Sequence, residues 1–153
     1  MARIETIPEP ERSHLLNKEC PTFERTPFVS GPPLSERRVA IISTAGLHPR
    51  DDRPFTSREA DYRIIPGSAS ASELVMSHVS TNFDRSGFQR DVNVVFPLDR
   101  LKELADAGVI GGVADYHYSF MGAARPEELE GATRRLAGLL KADGVDATLL
   151  VPV

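Results

Sequence analysis

Three histidines share one kind of position. His48 follows "IISTAGL", His78 closes "ELVMS" and His117 precedes "YSFMG", so each lies at or beside the end of an apolar run. Imidazole exchanges protons near neutral pH, and segments at strand ends commonly carry binding and catalytic groups. If the strands before them run parallel, His48 and His78 lie near one rim of a sheet. His48, His78 and His117 are therefore candidate acid/base or substrate-orienting residues. The fourth, His14, sits in a Pro-rich leader and reads as a surface residue.

The densest polar stretch, "SHVSTNFDRSGFQRDVNVVFP", carries Asn82, Asp84, Arg85, Arg90, Asp91 and Asn93 after His78. It reads as a loop closing over a small anionic or zwitterionic substrate, with arginine for a carboxylate, or as a solvated loop. Asp84, Arg85, Asp91 and Asn93 are its candidate substrate contacts. Ser43 and Thr44 join them, because "STAG" after an apolar strand resembles an anion-binding turn, although no GxGxxG or P-loop lysine follows. There is no GxSxG nucleophile elbow. His48, His78 and Asp84 could together hold a metal for a hydrolase, but their spacing matches no compact ligand motif, so no metal site is assigned. Cys20 is the one cysteine; Lys18 and Glu19 beside it roughly cancel, which leaves the thiol without the positive setting that makes it reactive.

The elements that must position these residues are legible in outline. Residues 1–35 hold six prolines, Pro8, Pro10, Pro21, Pro27, Pro32 and Pro33, and read as an extended arm with a short helix around Glu11 to Lys18. Residues 36–153 form the domain. "RRVAIISTAG" predicts a buried strand, Val39 to Ser43, entering a turn at Ala45-Gly46. "DYRIIPG" and "SELVMSH" predict two short strands that could form an antiparallel edge, and "DVNVVFP" another strand. Leu98, Leu101, Leu104 and Ala105 mark one face of a helix stopped by Gly108. A second helix begins at Pro126, with acids early and Lys141 late, as the helix dipole prefers; Leu129, Leu136, Leu139 and Leu140 mark its buried side. Asp143-Gly144 ends it, and "ATLLVPV" follows as a strand. Alternating helices and apolar strands predict an α/β fold with a parallel or mixed sheet flanked by helices.

At 153 residues with a net charge of -4, the chain fits one domain and lacks the basic footprint of a nucleic-acid or polybasic membrane-binding protein. No apolar run has the length of a membrane span, and one cysteine fits a reducing cytoplasm.

Taken in order, "RRVAIISTAGLHPRDDRPF", "DYRIIPG", "MSHVSTNFDRSGFQRDVNVVFPLDRLKELADAGVIGG", "HYSFMG" and "LLKADGVDATLLVPV" resemble the selenoprotein B family of glycine, sarcosine and betaine reductases, with D-proline reductase subunits as relatives. The resemblance covers roughly Arg38 to Val153. It implies an oxidoreductase that reductively cleaves a C–N bond in a small amine or amino acid, with electrons from a thioredoxin-like donor. It also implies a nucleophilic selenocysteine, or cysteine in its place, just after the strand "ATLLVPV", followed by a further α/β portion. No other cofactor is evident. The expectation carried forward is an in-frame UGA after the Val153 codon, which would make this chain the N-terminal part of a longer selenoprotein. A naturally short paralogue that binds a ligand or assembles with a partner is the alternative. The arm is expected to support a homo-oligomer.

Overall fold

The structure is a computed structural model that describes residues 3–17, 22, 24–25, 27–57, 59–79 and 85–153. Its centre is β1 (Arg38–Ser43), whose Val39, Ala40 and Ile41 are buried. On one side β1 pairs in parallel with β7 (Ala147–Val151), from Val39↔Ala147 to Ser43↔Val151. On the other it meets one extended run in two pieces. β5 (Gly112–Val113) lies beside its start and β6 (Tyr116–Ser119) beside its end, both parallel. β3 (Arg63–Pro66) closes that side antiparallel to β6, and β2 (Leu47–Pro49) and β4 (Leu74–Met76) form a separate antiparallel pair. The fold is thus mixed α/β, with a parallel centre and the antiparallel edge that the short early strands suggested.

Both faces of the central strands are covered, which is why β1 reads as a continuous apolar run rather than an alternating one. On one face Val39 and Ile41 pack with Phe96, Leu98 and Leu101, the last two from α3 (Leu98–Asp106). On the other, Ile42 and Tyr118 pack with Ala132 and Leu136 of α4 (Pro126–Ala142). Each fully buried aliphatic side chain contributes roughly 1.5–3 kcal/mol by leaving water, so these two clusters hold the layers together. Leu104 and Leu139 belong to the expected stripes but stay 39% exposed. The predicted stops hold, with Gly108 at φ 69° and Gly144 at φ 65°, a conformation glycine adopts without a Cβ clash.

One expected strand is absent. "DVNVV" forms a single 3-10 turn over Val92–Val94, preceded by α2 (Ser86–Arg90). The Asp91 carboxylate accepts the Asn93 N–H at 2.9 Å, a local bond that competes with strand pairing. Val94 is left 61% exposed, while Val95 and Phe96 turn into the core. Ahead of β1, α1 (Glu11–Leu16) falls where the sequence placed a helix, and Phe28 and Val29 are exposed.

Candidate functional site

β1, β6 and β7 run parallel and end together, at Ser43, Ser119 and Val151. Residues just past such strand ends are where open α/β sheets commonly place ligands. The backbone here is held at several points. Ser43 is fully buried; its Oγ donates to the Val95 carbonyl at 2.8 Å and accepts from the Ala45 N–H at 3.2 Å. The Thr44 N–H donates to the Val151 carbonyl at 3.1 Å. Thr44 Oγ1 then accepts the Val153 N–H at 2.8 Å and donates to the Val153 carbonyl at 3.4 Å. That hydroxyl extends the β1–β7 ladder beyond its last strand residue. Gly122, at φ 84°, crosses so near that a Cβ would lie 2.8 Å from the Thr44 carbonyl oxygen.

His78 packs against the turn that leaves β1. Gly46 has φ 66°, and a Cβ on it would meet the His78 Cα and N at 3.0 Å; the Ser77 N–H donates to the Gly46 carbonyl at 2.9 Å. The Arg85 guanidinium donates to the His78 carbonyl. Burial lowers the His78 pKa from its ordinary value, and the positive charge of Arg85 adds to that, so the ring is neutral at pH 7. The rim thus brings His78 and Arg85 to the turn that carries Ser43 and Thr44.

His48 lies on β2 opposite Val75 and is 3% exposed. Its Nδ1 sits 2.7 Å from the Pro49 carbonyl, which can only accept, so Nδ1 carries the proton. Nε2 is buried and has no hydrogen-bond partner.

His117 occupies the sheet itself. From Val39↔Val113 to Ile42↔Tyr118, three steps along β1 are matched by five along its partner, so the ladder opens around Ala114 and Asp115. His117 Nδ1 fills the opening by accepting the Ile41 N–H at 2.9 Å. The ring stands edge-on to Phe96 and has no exposed surface. Nε2 carries the proton and has no partner. Burial lowers the pKa to about 4; Asp143 opposes the shift, while Lys102 and Arg38 reinforce it. His117 therefore serves the sheet as a neutral acceptor.

Asp91 and Asn93 lie on the surface and bond locally. Asn93 Nδ2 donates to Asp91 at 2.9 Å and to Asp99 at 3.0 Å, and Asn93 Oδ1 accepts the Asp99 N–H at 3.1 Å, tying the 91–94 turn to the start of α3. Asp84, like Asn82 and Cys20, falls outside the described residues. Among the described residues no group of three or more His, Cys, Asp or Glu side chains converges as metal ligands, and no helix is long and apolar enough to cross a membrane. A groove of about 830 Å³ is lined by Arg50, Asp51, Ile64, Pro66 and Leu74. It lies toward Pro66, which pairs with Tyr116 at the start of β6, away from the rim.

Two polar residues that organise the domain were not apparent from sequence. Asp143, 10% exposed, accepts from Arg38 Nε at 3.1 Å and Nη2 at 2.6 Å, and from the N–H groups of Asp115 and Tyr116 at 3.0 and 3.2 Å. An acid at a helix C-terminus opposes the dipole, which was the available signal for a cationic partner. Arg63, 3% exposed, bonds the carbonyls of Arg53, Tyr62 and Pro54, pairs with Glu59 at 2.7 Å and lies 4.3 Å over the Phe55 ring. It fastens the 53–62 loop to β3.

A family model described as "Glycine/sarcosine/betaine reductase selenoprotein B (GRDB)" matches residues 16–153. Among characterised proteins, the chain is 33% identical over 120 residues to the D-proline reductase subunit gamma of Acetoanaerobium sticklandii, covering 76% of this chain and 49% of that protein. It is 32% identical over 136 residues to the sarcosine reductase complex component B subunit beta of Peptoclostridium acidaminophilum, covering 85% of this chain and 31% of that protein. With the betaine reductase complex component B subunit beta of the same organism it shares 29% identity over 122 residues, 76% of this chain and 28% of that one. The chain thus spans about half the length of the first relative and about a third of the others. No solved structure matches it.

Proposed function

Because the chain belongs to the glycine/sarcosine/betaine reductase selenoprotein B family, we propose that it forms part of a reductase complex that cleaves a C–N bond in a small amine or amino acid. A selenocysteine or cysteine just beyond Val153 would supply the electron pair that displaces nitrogen from carbon, and a thioredoxin-like donor would supply the reducing electrons. The observation that supports this reading is the Thr44–Val153 clasp, which holds the end of "ATLLVPV" beside the turn against which His78 packs.

This chain's own residues have definable tasks in that scheme. Thr44 fixes the direction in which the backbone leaves the sheet. His78, neutral at pH 7, can accept a proton from an incoming thiol or selenol and return it to the departing nitrogen. Arg85 orients the segment that carries His78 and places positive charge near the rim for a substrate carboxylate. Ser43 sets the turn from beneath. His48, whose buried Nε2 has no hydrogen-bond partner, is a second candidate for orienting a group near that turn.

Two measurements test the reading. The genomic codon after Val153 should be UGA, or encode cysteine, with an α/β reading frame continuing beyond it; a UAA or UAG codon there would remove the nucleophile from the scheme. In an active assembled reductase, His78→Ala should slow substrate-dependent amine release by about 10²–10⁴-fold. Unchanged turnover would take His78 out of the mechanism.

A further inference from the structure

β7 lies at an edge of the sheet: it pairs with β1, and no described strand pairs with its other side. Side chains alternate along a strand. Ala147 and Val151 pack into the cluster on the α3 face, so Leu149 points to that face and Leu150 to the α4 face. Leu149 is 39% exposed and Leu150 65% exposed. The strand is therefore bare on its outer edge, largely bare at Leu150 on the α4 face and only partly covered at Leu149 on the α3 face. Soluble proteins blunt such edges with charges, prolines or bulges, and "ATLLV" has no charge, no proline and an unbroken five-residue register with β1. Parallel strands are otherwise found beneath helices on both sides.

We propose that β7 is an interior strand of a larger sheet in the working protein, and that its outer edge receives a strand from an α/β segment of the family fold that this chain does not span. The helices of that segment cover Leu149 and Leu150. The relatives supply the argument for size: the shared region is 49% of one and 31% of another, so each carries at least as much again outside it. The two-faced exposure supplies the argument for kind. A second copy of this chain meeting β7 edge to edge would pair the backbone, yet its own α3 and α4 already pack over its β1 and β6, so it would bring another bare strand and leave Leu150 of both copies uncovered. Only an occupant with its own helical layers satisfies the edge and the two faces together.

The inference rests on family membership and not on the reductive chemistry, so a protected but inactive assembly would uphold it and count against the proposed function. The test uses the portion of the D-proline reductase subunit gamma that this chain does not match. That portion is produced with the full chain in two forms, as a separate polypeptide and joined to it by a flexible linker. Hydrogen exchange is read at Thr148 to Val151. In the chain alone, the amides not bonded to β1 should exchange rapidly; in either assembly they should slow by about tenfold or more. Leu150→Lys should remove the protection in the two-polypeptide form, whereas Val109→Lys, also on the surface, should not. Unchanged exchange in a folded linked product overturns the proposal. So does a dimer of the chain alone whose β7 amides are protected and which Leu150→Lys dissociates, because the occupant would then be a second copy.

Discussion

Acidification should expose the structural task of His117. In the folded protein its pKa falls from 6.5 to about 4, because a charged ring cannot be accommodated in a site with no solvent and an Ile41 N–H aimed at Nδ1. In the unfolded chain the ring regains its ordinary pKa. Above pH 6.5 neither state is protonated and the full stability is present. As the pH falls from 6.5 to about 4, the unfolded state takes up a proton that the folded state refuses, and stability is lost. The difference of about 2.5 pKa units corresponds to roughly 3.4 kcal/mol, at close to 1.4 kcal/mol per pH unit within that window. This is a large share of the 5–15 kcal/mol typical of a domain. Urea denaturation at pH 7 and pH 4 measures it: at pH 4 the folded ring is itself half protonated, so about 3 kcal/mol is lost, and with an m-value of roughly 2 kcal/mol/M the midpoint should drop by about 1.5 M from this group alone. Carboxylates also titrate toward the acid end, so the decisive quantity is the difference between the natural chain and His117→Gln. Glutamine keeps an acceptor for Ile41 but does not titrate, and this variant should lose about 3 kcal/mol less over the same range, whatever its stability at pH 7. Equal losses in the two proteins, or a His117 ring that titrates near 6.5 by NMR, would refute the reasoning.

Other outcomes follow from the same contacts. Asp143→Ala removes the acceptor of four hydrogen bonds and should cost about 3 kcal/mol by urea titration at pH 7. Burial raises the Asp143 pKa, but the Arg38 bonds and the two backbone N–H groups outweigh it and the net shift is downward; its contribution should therefore fade as the pH falls through the carboxylate range, and the alanine variant should lose less there. Arg63→Ala leaves Glu59 without its close buried partner and should cost about 3–5 kcal/mol, with proteolytic cleavage appearing first in the 53–62 loop. Gly122→Ala forces a Cβ onto Thr44 in a left-handed backbone conformation and should cost about 2 kcal/mol in thermal melts, against less than about 0.5 kcal/mol for Leu150→Lys in the isolated chain.

The layers of the fold were legible where one physical signal dominated. Apolar runs marked β1 and β7, and glycine stops marked the ends of α3 and α4. "DVNVVFP" misled because its apolar content outweighed, on the page, the Asp91–Asn93 pair that the backbone uses to turn. The early strands were found, but their division between the main sheet and the β2–β4 pair depends on long-range contacts that no local window contains. At the candidate site, the position of His78 beside the β1 turn was readable only as two strand ends. The open edge of β7 was hidden as well, since an uncharged, mostly apolar strand reads the same whether or not its edge and faces are covered. Asp143 and Arg63 escaped because their partners lie far along the chain or in carbonyls, which carry no sequence signature.

The opening in the ladder beside β1 adds two residues to the partner run. Two is an even number, so the alternation of side chains resumes beyond it with the same handedness of inside and outside: His117 and Ser119 keep to one face, and Tyr118 and Phe120 to the other. Removing one residue there would turn over everything downstream, sending the aromatic rings of one core into the place of the other. Removing both would shorten the run without inverting it. A change of length at the lower end of this strand therefore keeps the orientation of the rim that follows only when it is made in pairs.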